Sequence, residues 1–396
     1  MKILFVLNNF NYGGPQKSLL NLFYELKDED VEIDLVVLNG LDKLKEYLPN
    51  NVNLINIDSR YALLMLDKHN LKENLLKNIK HPIFVSKVIA FVIKSLLKLH
   101  DNTKAKQKFW IKNKWDGLAT QKKYDYAIGV SGGHSIYFIE DYINADVKIG
   151  WIRTDYKKLK RNNELDAQYF SKLNGLITVS KICGVNFEKI FNIQPKVFYN
   201  SLPIKLYENI PTFKIDLNNK FTNICTICRL DYGKGLDLVL ETAEIIKEKN
   251  LNIHWYIIGD GKLYDWFMNE ITKRGLKDIV ICKGFVFNTG SIVKDMDFLV
   301  HPSRFEGKSN TIDEALYYNV PVVATNFETV YEQIKDGYNG YITEMTGESI
   351  FEKIEQLYVD TVDYNRIKNN ISNEKKTPVK KSEEFLNLIQ SFKGDN

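Results

Sequence analysis

The chain has 396 residues, 44% apolar and 26% charged, the make-up of a globular protein long enough for two separate cores. Its net charge of +4 identifies no partner, no run reaches the ~18–20 apolar residues of a spanning helix, and the apolar start at 1–7 is too short for a secretory signal. The four cysteines follow no secreted framework. Cys225 and Cys228 form a C-x2-C in an apolar run, with no second Cys or His pair nearby to complete a tetrahedral metal site. A cytoplasmic protein with buried strand cysteines is expected.

In chain order, an apolar strand at 3–7 leads into a turn ending Gly13-Gly14-Pro15. A helical pattern follows at Leu19, Leu20, Leu22, Phe23 and Leu26, then a strand at 33–38. Strand, glycine turn, helix and strand make a βαβ unit of a parallel sheet. Between 72 and 123 stand thirteen Lys against Glu73, Asp101 and Asp116, a local balance of +10 that leaves −6 for the rest. Within 84–99, Lys87, Lys94 and Lys98 share one helical stripe, and Ile83, Phe84, Val88, Ile89, Phe91, Val92, Leu96 and Leu97 cover the remainder. Such a helix suits an anionic bilayer surface, and further lysines with Trp110 and Trp115 extend the segment to 123. The alternative is a crossover helix with a solvated Lys edge. Nucleic acid is not expected, because no recognition motif accompanies the charge. Strands at 126–130, 147–152 and 175–179 complete the first series.

A break at 199–203 and a polar stretch at 207–220 precede a second series, with strands at 222–228, 254–258, 280–282, 298–300 and 322–324. The expected architecture is α/β: two Rossmann-like domains, 1–200 and 201–376, facing across a cleft. A polar tail, 377–396, carries a short helix at 382–392 and is expected to pack back on the first domain.

The run 301–315 follows an apolar strand and precedes a helix, so it lies at the carboxyl end of a parallel strand, where open α/β sheets bind ligands. Gly307 permits close backbone approach, and Ser309 or Asn310 is a suitable N-cap. The helix start beyond them, including Thr311, offers N–H groups and a positive dipole end to a phosphate. Glu306 and Glu314 are expected on opposite sides of that phosphate, and a carboxylate can accept two vicinal sugar hydroxyls. The alternative is two solvated acids around an ordinary helix start.

The stretch Ser303-Arg304-Phe305-Glu306-Gly307 to Glu314-Ala315, with Val320-Pro321-Val322-Val323-Ala324-Thr325 and Asp336-Gly337-Tyr338-Asn339-Gly340, resembles the nucleotide-sugar block of retaining glycosyltransferase family 4, of GT-B fold. Glu306 and Glu314 match its E-x7-E motif. The resemblance implies that Glu306 contacts the donor sugar and Glu314 the ribose. Arg229 and Lys234 match an R-x4-K-G segment that clamps the diphosphate, consistent with metal-free neutralisation of a departing anion. Gly259-Asp260-Gly261 resembles a supporting turn, and Lys283-Gly284-Phe285 the loop that holds the nucleobase. Gly13 and Gly14 resemble the glycine loop bordering diphosphate and acceptor. Where many members carry a His near the reacting sugar, this chain has Arg153, suited to a phosphate of acceptor or donor. His134, in Ser131-Gly132-Gly133-His134, is a second candidate for the catalytic histidine.

The resemblance implies a retaining transferase that moves a sugar from a nucleotide-diphosphate donor, by family frequency a UDP-sugar, to a lipid-linked saccharide. It implies no cofactor and no metal. A peripheral position at the inner face of the cell membrane, through 84–123, follows from the lysine-rich segment. A nucleotide-sugar 2-epimerase and a non-catalytic scaffold share the architecture and stand as alternatives. The sequence leaves oligomeric state open.

Overall fold

The computed structural model describes residues 1–39, 44–66, 70–99, 101–374 and 380–394; the expected boundary at 376/377 lies outside them. The chain forms two compact units, Met1–Tyr199 with Lys380–Asn396, and Asn200–Val379. Each is built on one wholly parallel sheet.

In the first unit the strands are β1 (Lys2–Leu7), β2 (Glu32–Val37), β3 (Val52–Leu54), β4 (Lys123–Val130), β5 (Asn144–Ile152), β6 (Gly175–Thr178) and β7 (Lys196–Val197). They lie in the order β3-β2-β1-β4-β5-β6-β7. The central strand β1 is buried along Ile3–Leu7, the continuous apolar run that a parallel strand covered on both faces requires. The second unit contains β8 (Thr222–Ile227), β9 (Ile253–Ile258), β10 (Val280–Gly284), β11 (Phe298–His301), β12 (Val322–Thr325) and β13 (Gly340–Thr343), ordered β10-β9-β8-β11-β12-β13. Strand order reverses between β1 and β4, and again between β8 and β11. In doubly wound sheets a ligand crevice opens outside the carboxyl ends of strands at such a switch point.

Each strand read from the sequence is present, with no end shifted by more than three residues. Three short edge strands, β3, β7 and β13, have too little apolar pattern to be read. They form because the neighbouring strand offers a free ladder: Ile33 pairs with Val52, Ile177 with Lys196, and Val322 with Gly340.

The lysine-rich segment folds as two helices, Pro82–Leu96 and Asn102–Asn113. Phe84, Val88, Phe91 and Val92 of the first turn toward the core, with Phe91 edge-on to Phe109 at 5.5 Å. The two tryptophans depart from the interfacial role expected of them. Trp110 is fully buried and its indole N–H donates to Asp141 at 2.9 Å. Trp115 packs against Tyr61 at 4.8 Å and Tyr142 at 5.5 Å. Both are spent on packing against the helices Arg60–Leu64 and His134–Tyr142.

The final helix, Lys381–Gln390, belongs to the first unit. The Lys381 N–H donates to Glu25 at 2.6 Å, and the Ser382 hydroxyl to Glu29 at 2.9 Å. Phe385 is fully buried among Phe5, Trp151 and Phe198, with ring centroids at 5.9, 5.6 and 5.4 Å. A Cβ at Gly175 would stand 2.1 Å from the Phe392 ring, so the tail closes down directly on β6. Truncating Phe385 to Ala removes a buried aromatic without filling its place, and is expected to cost about 3–5 kcal/mol of unit stability. A lower urea midpoint with unchanged slope, read on near-ultraviolet dichroism, checks this.

Candidate active site

At the second switch point the loops after β8 and β11 are locked together. The Arg304 N–H donates to the Gly233 carbonyl at 2.8 Å, the Arg304 guanidinium grips both oxygens of Asp237, and it lies 4.7 Å from the Tyr232 ring centre. Gly235 has φ +67°, and a Cβ there would stand 2.1 Å from the Pro302 carbonyl oxygen. That position therefore admits glycine alone. The expected supporting turn lies alongside, where the Leu230 N–H donates to the Asp260 carbonyl at 3.0 Å.

This closure places Lys234 against Glu306. Lys234 Nζ donates to Glu306 Oε1 at 2.6 Å, Ser303 Oγ donates to the same oxygen at 3.0 Å, and His301 Nε2 lies 3.1 Å from it. No described residue hydrogen-bonds Oε2. Burial pushes the Glu306 carboxyl up, but Lys234 and His301 outweigh it and hold the group well below the usual carboxylate range. Burial likewise opposes the Lys234 charge, and Glu306 more than restores it, so Lys234 is raised. The pair is charged at neutral pH. The structure departs here from two solvated acids at a helix start.

The helix Asn310–Tyr317 begins at the Ser309 cap, whose hydroxyl accepts from the Ile312 N–H. Gln333, which the sequence reading missed, fixes the cap. Its Oε1 accepts from the Ser309 N–H at 2.9 Å, and its Nε2 donates to the Ser309 carbonyl and to Asp313, each at 2.7 Å. Asn310 accepts from Asn200 at 2.7 Å, and the Thr311 hydroxyl points back to the Ile227 carbonyl at 3.5 Å. The Gly307 loop is tied by Thr329, whose hydroxyl donates to the Glu306 carbonyl at 3.1 Å.

Glu314 is buried, and its Oε2 accepts from Tyr207 and Thr289, each at 2.7 Å. These two partners lie 107 and 25 residues away in sequence, and no motif announces them. Gly290 makes the arrangement possible, because a Cβ there would stand 2.6 Å from the Tyr207 ring. Arg229, by contrast, is 73% exposed with its Nε 2.7 Å from Asp231. It sits on the rim and does not join Lys234 at Glu306. Gly284 has φ +70° with open space where a Cβ would be, and Phe285 beside it is 45% exposed. That loop presents backbone and an aromatic face to solvent.

In the first unit Gly13 precedes the helix Gly14–Glu25 beyond β1, and His134 opens the helix His134–Tyr142 beyond β4. His134 is buried against Trp110 and Tyr137, at 5.2 and 5.6 Å. Burial, reinforced by Arg161 and Lys106, lowers it from 6.5 to about 3, so it is neutral at pH 7. Arg153 is buried with its guanidinium 4.5 Å from the Trp151 ring centre, and desolvation lowers it to about 9. Trp151 packs with the final helix, whereas His134 packs against Trp110. The structure therefore places these two candidates in separate environments. Cys225 and Cys228 are free thiols; burial raises both, Cys228 to about 12.

Residues 210–374, which lie within the second unit, match the family described as Glycosyl transferases group 1. A poly(ribitol-phosphate) alpha-N-acetylglucosaminyltransferase of Staphylococcus aureus is 25% identical over 48% of this chain and 38% of its own length. An N-acetylgalactosaminyltransferase of Campylobacter jejuni, named for a diphospho-undecaprenol acceptor, is 28% identical over 43% of this chain and 47% of its own. The chain spans about half or less of these relatives. Among solved structures, S. aureus TarM with UDP superposes at a TM-score of 0.66, with 17% identity over 98% of this chain and 100% of that one. Anabaena HepE with UDP and glucose gives 0.68, with 14% identity over 99% and 100%. These likenesses show the fold, which is GT-B.

Two outcomes follow from the packing. The unfolded chain binds a proton at His134 below 6.5 and the folded chain only below about 3, so folding stability is lost as pH falls through that window. Linkage puts the loss at about 2 kcal/mol between pH 7 and 5, and His134→Gln should flatten that slope in urea melts. Tyr207→Phe removes a hydroxyl from a buried carboxylate and is expected to cost about 1.5–3 kcal/mol, seen as a lower melting temperature.

Proposed function

We propose that this chain, whose second unit matches glycosyl transferases group 1, is a retaining glycosyltransferase acting on a nucleotide-diphosphate sugar. The reading takes a UDP-sugar as donor and a hydroxyl of a lipid-linked saccharide as acceptor, in surface-glycan synthesis at the inner face of the cell membrane. The buried Lys234–Glu306 pair at the switch point carries it: a fixed cation beside a fixed carboxylate is what a leaving diphosphate and a sugar hydroxyl need. The two named relatives transfer N-acetylhexosamines to phosphate-bearing acceptors, which supports a hexosyl or N-acetylhexosaminyl donor.

In this mechanism the diphosphate draws Lys234 and Arg229, and their charge stabilises the anion that grows as the glycosidic bond breaks. Arg229, exposed and held among the described residues by Asp231, can swing to it at little cost. Glu306 Oε2 accepts a sugar hydroxyl, while Glu314, held by Tyr207 and Thr289, faces the ribose. Gly284 and Phe285 take the base, and Gly307, Ser309, Asn310 and Thr311 surround the phosphates. The acceptor hydroxyl attacks on the leaving group's own face and passes its proton to the departing phosphate oxygen, which preserves the anomeric configuration. Gly14 borders the donor diphosphate, His134 is the candidate catalytic histidine, and Gly13 and Arg153 belong to the acceptor side. No metal is assigned a role.

A panel of nucleotide sugars in a thermal-shift assay should raise the melting temperature with UDP-sugars above other nucleotides. Glu306→Gln and Lys234→Ala should each lower transfer by roughly 100-fold or more while the protein remains folded by circular dichroism. Full turnover in either variant overturns the site. An epimerised nucleotide sugar formed without acceptor overturns the reaction.

A further inference from the structure

Nineteen large hydrophobic side chains among the described residues are exposed, and eight of them fall between Leu76 and Leu99. The helix Pro82–Leu96 explains this density, because it has apolar residues on two faces. Phe84, Val88, Phe91 and Val92 fill the inner face. Ile83, Ile89, Ile93 and Leu96 project outward with Leu97 and Leu99 just beyond, and exposure reaches 75% at Ile83 and 73% at Leu96. At the helical spacing of about 100° per residue, Lys87 and Lys94 fall beside Ile83 on one margin of this outer face, and Lys98 follows. None of these three lysines has an ionic partner among the described residues. The helix thus carries a core face, an outward apolar face and a cationic edge.

We propose that this outward face is a docking surface for a bilayer rich in anionic lipid. A contiguous apolar patch left in water is costly for a monomer and marks an interaction surface. Apolar side chains of this size reach the headgroup–acyl boundary from a helix lying flat, and lysines along its margin meet anionic headgroups. Charge decides between a bilayer and a second copy of this chain. From 72 to 99 stand six Lys and one acid, Glu73, and Glu73 is already paired with Lys77 at 2.6 Å. Two such faces would repel, whereas an anionic surface complements them. No helix among the described residues is long and apolar enough to cross a membrane, so the attachment is peripheral and reversible. The inference supplies a physical surface for the lipid-linked acceptor, but it stands on exposure and charge and not on the donor chemistry.

The test is co-sedimentation of the full chain with vesicles of phosphatidylglycerol or of phosphatidylcholine. Wild type should partition onto phosphatidylglycerol at least tenfold more strongly than onto phosphatidylcholine, and the preference should shrink as salt rises. Ile83→Ser with Ile93→Ser and Leu96→Ser should reduce partitioning at least tenfold. Lys87→Gln with Lys94→Gln and Lys98→Gln should reduce it severalfold and remove most of the salt dependence. All substituted side chains are exposed, so both variants should keep the wild-type dichroism and the same thermal shift with UDP-sugar. That second readout separates failure of docking from failure of the donor site. Equal sedimentation of wild type and both variants overturns the proposal. So does a dimer in analytical ultracentrifugation that the serine variant abolishes.

Discussion

The ion pair between Lys234 and Glu306 is the constraint from which the second unit's ligand face is built. Its two halves belong to loops after different strands, β8 and β11, which are neighbours only because the strand order reverses there. Burying a carboxylate costs several kcal/mol unless a counter-charge and hydrogen bonds compensate. Here Lys234, Ser303 and His301 all converge on Oε1. The loops cannot drift apart without stranding that charge, so Arg304 on Asp237 and the glycine at 235 against Pro302 are parts of the same closure.

The pair also shapes what the site can recognise. A free carboxylate accepts hydroxyls with both oxygens, but one oxygen of Glu306 is saturated by three protein groups. Only Oε2 is left to a ligand while Lys234 stays in place. In the proposed reaction, a diphosphate competing for Lys234 would loosen that saturation and so couple anion binding to sugar contact through one ammonium group. A mostly preorganised arrangement of this kind spends little reorganisation when charge develops on a leaving group.

How much of this was legible in the sequence depends on whether a partner is local. Central strands such as 3–7 and 298–300 announce themselves because both faces are buried and every residue is apolar. Edge strands such as Val52–Leu54 exist through a neighbour's ladder and carry no signal of their own. Glu306, Glu314 and Lys234 were singled out because their spacing matches motifs of the family the chain resembles. Tyr207, Thr289 and Gln333, which hold the carboxylate and the helix cap, were not, because they arrive from distant loops and are common residue types. The lysine-rich segment shows the same limit in reverse. Composition flagged it, but only the fold shows that Trp110 and Trp115 face the core while Ile83 and Leu96 face out.

The two switch points are chemically unlike, and the contrast bears on how labour is divided. Beyond β8 and β11 the loops carry a buried pair of charges, with the acid lowered and the base raised. Beyond β4 the opening residue is a histidine held neutral by burial and by neighbouring cations, and beyond β5 stands a buried arginine resting on an indole face. A neutral imidazole adds no charge at physiological pH, and a desolvated guanidinium interacts strongly with any anion that reaches it, because little water screens the contact. The first unit thus buries a guanidinium on an aromatic face beyond β5, whereas the second buries an ammonium group against a carboxylate. In the reaction proposed above, that asymmetry would let the second unit hold the group whose charge changes while the first admits a partner whose charge does not.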